Sequence, residues 1–221
     1  MPNSIIKILM NPDAFFQGIT GEHENLKRPA LIVLFSALVG AAAAYLIVGP
    51  TVKLMSGMIA GMDSIIILGA VIATLVITVI SWLVYAGIFF ILSTVFKGKG
   101  TFNRTVEMVG YGFLPQIMGG IITVLVALEY IPRVIVHPIP AGTTDSQVIL
   151  AATTSMMHDP AMMAFTQITT LVSVVFLLWS ANIWIFGLHH SRLLSVRDAA
   201  LCVGIPVVLY AFYAIYKLGV M

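Results

Sequence analysis

Between Asp63 and Lys97 the chain runs for 33 residues without one charged side chain. As an α-helix that stretch reaches about 50 Å at 1.5 Å per residue. Bilayer hydrocarbon is only ~30 Å thick, so the helix must tilt across it or project beyond it. A helix is also the natural form for such a segment, because in lipid the backbone has to satisfy its own hydrogen bonds. The rest of the chain repeats the pattern. Charges and prolines delimit five apolar segments, at about 29–48, 64–96, 108–128, 161–188 and 199–216. The 9% charged and 60% hydrophobic residues compare with roughly a quarter charged in soluble domains. The expected fold class is all-α, a polytopic membrane protein with five transmembrane helices. A soluble enzyme is excluded, and the net charge of +2 supplies no basic stripe for nucleic acid. The single cysteine, Cys202, excludes an intramolecular disulfide.

The distribution of Lys and Arg predicts orientation. With the N-terminus cytoplasmic, the inner side carries Lys7, Lys27, Arg28, Lys97, Lys99, Arg104, Arg192 and Arg197, and the outer side Lys53, Arg133 and Lys217. Eight against three places the C-terminus outside. Lys7, Asn11, Pro12 and Asp13 break the first apolar cluster, so the first span is expected to act as its own uncleaved insertion signal.

Two parts do not cross. Residues 1–28 interleave Ile5, Ile6, Leu9, Phe15, Phe16 and Ile19 with Lys7, Asn11, Asp13 and Gln17, a pattern for short helices lying in the cytoplasmic interface. Asn11-Pro12 marks the start of the second of them. Residues 129–160 form an outer loop, extended around Pro132, Pro138 and Pro140. A short surface helix then follows, with Thr144 and Gln147 as its capping box. Asp159-Pro160 should cap the fourth span, and Ser195 with Asp198 the fifth.

Catalytic signatures are missing: no H-E-x-x-H, G-x-S-x-G, G-x-x-x-x-G-K or C-x-x-C. The protein is read as no enzyme, with no cofactor. No Asp, Glu, Lys or Arg lies mid-span, which argues against a proton relay. Arg104 and Glu107, three apart at the inner end of the third span, suit an ion pair. With Gln116, Ser180 and Asn182 they make a candidate polar seam, serving either a permeating solute or interhelical hydrogen bonds. Gly110, Gly112, Gly119 and Gly120 around Pro115 predict a close-packed, kinked third span, or else a hinge or half-helix.

Seven of twelve methionines fall on or near the outer side: Met55, Met58, Met62, Met156, Met157, Met162 and Met163, with His137 and His158 nearby. Met55, Met58 and Met62 would share one helical face as soft metal ligands, with His158 beside them. Methionine is equally a filler of apolar gaps. His189 and His190 are about 100° apart on a helix and are read as a helix-end pair with Arg192, not as joint ligands. Lys97, Lys99 and Arg104 are expected to meet anionic lipid headgroups.

The order of these motifs resembles the Yip family, membrane proteins named for interacting with Ypt/Rab GTPases, in a short prokaryotic-type form. The resemblance rests on Asn11-Pro12, Phe15-Phe16, Lys27-Arg28-Pro29, the basic turn from Lys97 to Arg104, and Tyr111-Gly112-Phe113-Leu114-Pro115. It continues through Trp179, Phe186-Gly187-Leu188-His189 and Ile205-Pro206. The family's Tyr-Gly-Tyr stands here as Tyr111-Gly112-Phe113, and its Asp-Leu-x-Gly-Pro is reduced to Gly49-Pro50. These departures, and the absence of a long cytoplasmic N-terminal region, mean that GTPase binding is not carried over. The resemblance implies a five-span fold, N-inside and C-outside, without catalysis. It implies assembly through the spans as a homo-oligomer or with other membrane proteins. The expected role is a membrane-organising or trafficking-type scaffold in a prokaryotic cell (plasma) membrane. The alternative is a small channel or transporter for an ion, metal or small solute.

Overall fold

The computed structural model describes residues 2–58 and 61–220. Ten α-helices follow in order: α1 (Pro2–Met10), α2 (Pro12–Ile19), α3 (Lys27–Ile47), α4 (Gly49–Met55), α5 (Asp63–Val95), α6 (Phe102–Tyr111), α7 (Leu114–Tyr130), α8 (Ser146–Met157), α9 (Pro160–Arg192) and α10 (Val196–Val220). Among the described residues there is no strand. Five helical stretches are long and apolar enough to cross a membrane: Lys27–Met55, Asp63–Val95, Phe102–Arg133, Pro160–Arg192 and Val196–Gly219. The chain is an all-α membrane protein with five spans.

Helix α3 does not give way to a loop at Gly49-Pro50. It passes almost directly into α4, because Pro50 stands in the first turn, where its missing N–H has no helical partner to lose. The third span is two helices, with Gly112 and Phe113 between α6 and α7. Pro115 sits in the first turn of α7 and starts a helix instead of kinking one.

Three apolar clusters hold the molecule together. The largest joins all five spans around Trp82, Phe89, Phe113, Trp184 and Val203. A second, at the end opposite the N-terminal helices, gathers Leu54, Ile131, Ile139, Met156, Met162 and Phe165. Met156 and Met162 are thus core fillers. Gly57 lets the 138–141 segment lie directly on the bundle, since a Cβ there would stand 2.0 Å from the Ile139 carbonyl oxygen. The Ile139 N–H donates to Leu54 O at 2.9 Å. Helix α8 is capped by Asp145, whose side chain accepts from Gln147 N at 2.8 Å, and not by Thr144. A carboxylate at the N-cap carries the charge that a helix N-terminus favours. Asp159 caps α9 through Ala161 N and Met162 N, and also accepts from Ile135 N. Ser195 accepts from Asp198 N and donates to the Asp198 carboxylate.

The third cluster fixes the amphipathic hairpin α1–α2 against α9 and α6. Ile8, Phe15 and Phe16 bury against Met108, Tyr111 and Ile183. Phe15 and Phe16 both meet the Tyr111 ring edge-on. Asn11 caps α2 by accepting from Ala14 N, and Trp179 donates its indole N–H to Leu9 O at 3.2 Å.

Candidate functional site: a polar pocket beside a broken helix

A helix broken inside a bilayer frees backbone groups that lipid cannot satisfy, so the protein must supply partners. Here two indoles add donors along the last turns of α6. Trp82 of α5 donates to Val106 O and Trp184 of α9 to Val109 O, each at 2.8 Å. The Gly112 and Phe113 N–H groups turn back in short-range bonds to Val109 O and Gly110 O. Both indoles reach the backbone because glycine clears the way. A Cβ on Gly112 would lie 2.0 Å from Trp184 Nε1, and one on Gly110 would lie 2.5 Å from Pro29 and 3.1 Å from Trp82 Nε1.

Beyond the break lies a cavity of about 300 Å³ to which all five spans contribute. Its polar lining comes from Ser36, Thr78, Ser81, Gln116, Thr123 and Ser173, with Tyr85 and Tyr210. Several of these hydroxyls cost little in a membrane because they donate to their own helix: Thr78 to Thr74 O, Thr123 to Gly119 O, Ser173 to Thr170 O. Gln116, in the first turn of α7, donates its amide to Ser180 Oγ at 3.1 Å. Phe113, Trp184 and Tyr85 form the floor of the pocket towards the break. Among the described residues, the only ionisable side chains in the lining are the two tyrosines. Such a wall can hydrogen-bond a neutral molecule, but it offers no carboxylate or imidazole for acid–base chemistry.

The five residues of the sequence-predicted seam separate into three places. Gln116 and Ser180 meet at the pocket. Arg104 and Glu107 form a buried ion pair at 2.7 Å on α6, nearer the hairpin, and Arg104 also donates to Ile19 O. Arg104 is 7% exposed, so it is not available to lipid headgroups, whereas Lys97 and Lys99 are exposed. Asn182 is exposed on another side of α9 and joins neither group. Two residues from Ser180, it is turned by about 200° around the helix.

The glycine motif is occupied from within the chain. Gly119 packs on Phe176 and Gly120 on Val39, each with room for less than a methyl group. Tyr111, Phe113 and Pro115 are buried in the same region. Gly49 has open space around it, while Pro50 is buried. The outer methionine face does not form: α4 ends at Met55, Met58 packs into the second cluster, and Met62 precedes α5. Ile59 and Ala60 lie outside the described residues. His158 is exposed with its ring on Thr154 O.

Sequence reading placed Arg192 at a helix end but missed its enclosure. It is 3% exposed and sits inside the basic turn. Its Nε donates to Ser93 Oγ and one terminal nitrogen to Gly98 O, both at 2.8 Å, and the other to Gly100 O. The guanidinium lies 4.1 Å over the Phe90 ring. The signal for it was present as two glycines in Lys97-Gly98-Lys99-Gly100, which allow a turn to close around a planar donor.

Comparison with known proteins agrees with this architecture. No solved structure matches the chain. An uncharacterized protein of the archaeon Methanocaldococcus jannaschii is 35% identical over 124 residues, covering 56% of this chain and 88% of that protein. The family model of the Yip1 domain matches residues 6–217, nearly the whole of the chain. The protein therefore belongs to the Yip1-domain family of multi-pass membrane proteins.

Proposed function

We propose that the protein is a non-enzymatic scaffold that organises the cell membrane, with its N-terminus cytoplasmic, its C-terminus outside and residues 29–216 as the spanning domain. One observation carries the reading. The hairpin α1–α2 is docked on α9 by Phe15 and Phe16, yet leaves Ile5, Ile6 and Met10 more than half exposed, at 51%, 61% and 77%. In a bilayer these apolar side chains enter one leaflet beside the bundle, with Lys7 at headgroup level. A wedge tied to five spans transmits its asymmetry to the surrounding lipid and to copies of itself. Association through the spans then falls to the lipid-facing surfaces of α5 and α10, since the glycines of α6 and α7 are already filled.

The test is reconstitution at rising protein density with vesicle shape imaged by cryo-electron microscopy, alongside native mass spectrometry from nanodiscs. Deformed vesicles and oligomers are expected, with deformation lost in Ile5→Ser/Ile6→Ser/Met10→Ser. Spherical vesicles at every density, with monomers only, would overturn the reading.

The pocket favours a second reading, a passage or binding site for a small neutral solute. Under it, Gln116→Leu abolishes flux in proteoliposomes while oligomers persist. Asn182→Leu, away from the pocket, leaves flux unchanged.

A further inference from the structure

The hairpin meets α9 at a cluster that the scaffold reading does not use. On an ideal helix His189 and His190 diverge, yet their ring centroids lie 4.5 Å apart. Asp13 of α2 faces this pair. His190 Nε2 is 2.7 Å from Asp13 Oδ1, and ligand atoms of Asp13, His189 and His190 all lie within 4.8 Å of one another. Divergent Cβ directions do not prevent this, because two side-chain torsions per histidine can swing both rings to one point.

The geometry points to a binding site for a divalent first-row transition ion such as Zn²⁺, held by His189, His190 and Asp13. Two imidazoles and a carboxylate form a donor set typical of this ion, with the remaining position left to water. The orientation of His189 fits a ligand. Its Nδ1 contacts the Leu194 carbonyl, so this nitrogen carries the proton and Nε2 keeps its lone pair for a metal. Leu193, in the left-handed conformation at φ 52°, turns the chain so that the Leu194 carbonyl reaches that ring. At His190 the ion takes the place of the proton that Nε2 shares with Asp13, and the neutral ring carries its proton on Nδ1 instead. Tetrahedral zinc needs its ligands roughly 3.4 Å apart, so the widest pair must close by at most about 1.4 Å. The exposed Asp13 side chain can make that move, and its exposure also gives the ion a way in. The site joins residue 13 to residues 189 and 190, so an ion there clamps the hairpin to the fourth span.

The experiment uses the full chain in nanodiscs, free of any histidine tag, titrated with Zn²⁺ by calorimetry and with Co²⁺ by visible absorption. One equivalent should bind, with a tetrahedral Co²⁺ spectrum, and Zn²⁺ should slow hydrogen exchange of the α2 amides around Phe15 and Phe16. Asp13→Ala and His190→Ala should each lose the binding and the exchange protection, whereas His23→Ala keeps both. Should the Asp13 and His190 variants fold poorly, Asp13→Asn is read instead: unchanged affinity in it overturns the site. Absence of binding by the wild-type chain also overturns it, as does binding that survives Asp13→Ala and His190→Ala together.

Discussion

The indole nitrogen of Trp184 lies 2.8 Å from the carbonyl oxygen of Val109, and its ring fills the space where any side chain on Gly112 would stand. The bond and the missing Cβ are one device. A helix interrupted at membrane depth is stable only when its loose carbonyls find donors, and glycine admits the donor to the backbone.

Gly112→Ala should destabilise the protein by about 1–3 kcal/mol through overpacking against the indole, and Gly112→Leu should prevent folding. Thermal unfolding in detergent, followed by size-exclusion fluorescence, measures the first. An unchanged midpoint for Gly112→Ala would mean that the indole does not occupy that space.

Trp184→Phe preserves most of the packing but removes the donor to Val109 O. A loss of about 0.5–1.5 kcal/mol is expected, the net worth of one hydrogen bond, because Val109 O still accepts from Gly112 N. A double-mutant cycle with Gly112→Ala should be strongly non-additive, because both changes act on one contact.

Arg192→Lys should behave almost as badly as Arg192→Ala. One ammonium cannot serve Ser93, Gly98 and Gly100 together while lying flat on Phe90. About 1.5–3 kcal/mol of stability should be lost, and limited proteolysis should begin to cut between residues 97 and 101. Protection of that turn in both variants would contradict the arrangement.

Arg104→Ala leaves the buried Glu107 carboxylate without its partner and should cost several kcal/mol, roughly 3–5 for a buried pair. The double change Arg104→Met with Glu107→Leu should recover most of it, because no charge is then stranded. Denaturation of the three proteins in the same lipid mixture makes the comparison.

Gln116→Leu should cost about 1 kcal/mol or less, the usual worth of an interhelical hydrogen bond in a bilayer, since Ser180 keeps its bond to Phe176 O. A much larger loss of stability would assign Gln116 to holding the bundle together and would leave the pocket without a separate role for it.

The spans, the caps at Asp159 and Ser195, and the amphipathic hairpin could be read from the chain because each is a local property. Apolar length, a carboxylate before a proline, and apolar residues interleaved with polar ones leave few alternatives in a bilayer. The Yip1-domain family was legible for the same reason: its signature is the order of local motifs along the sequence. What the chain could not show was which glycine faces which aromatic ring. Gly112 needs Trp184 and Gly110 needs Trp82, partners 72 and 28 residues away along the chain. The pocket, the enclosed Arg192 and the meeting of Asp13 with His189 and His190 likewise join separate elements. Asn182 shows the converse, a polar residue that sequence groups with Gln116 and packing turns away from it. Hydropathy and spacing fix what each helix is. Only the rotation and depth at which helices pack decide which side chains share a site, and those follow from many small contacts that no single segment encodes.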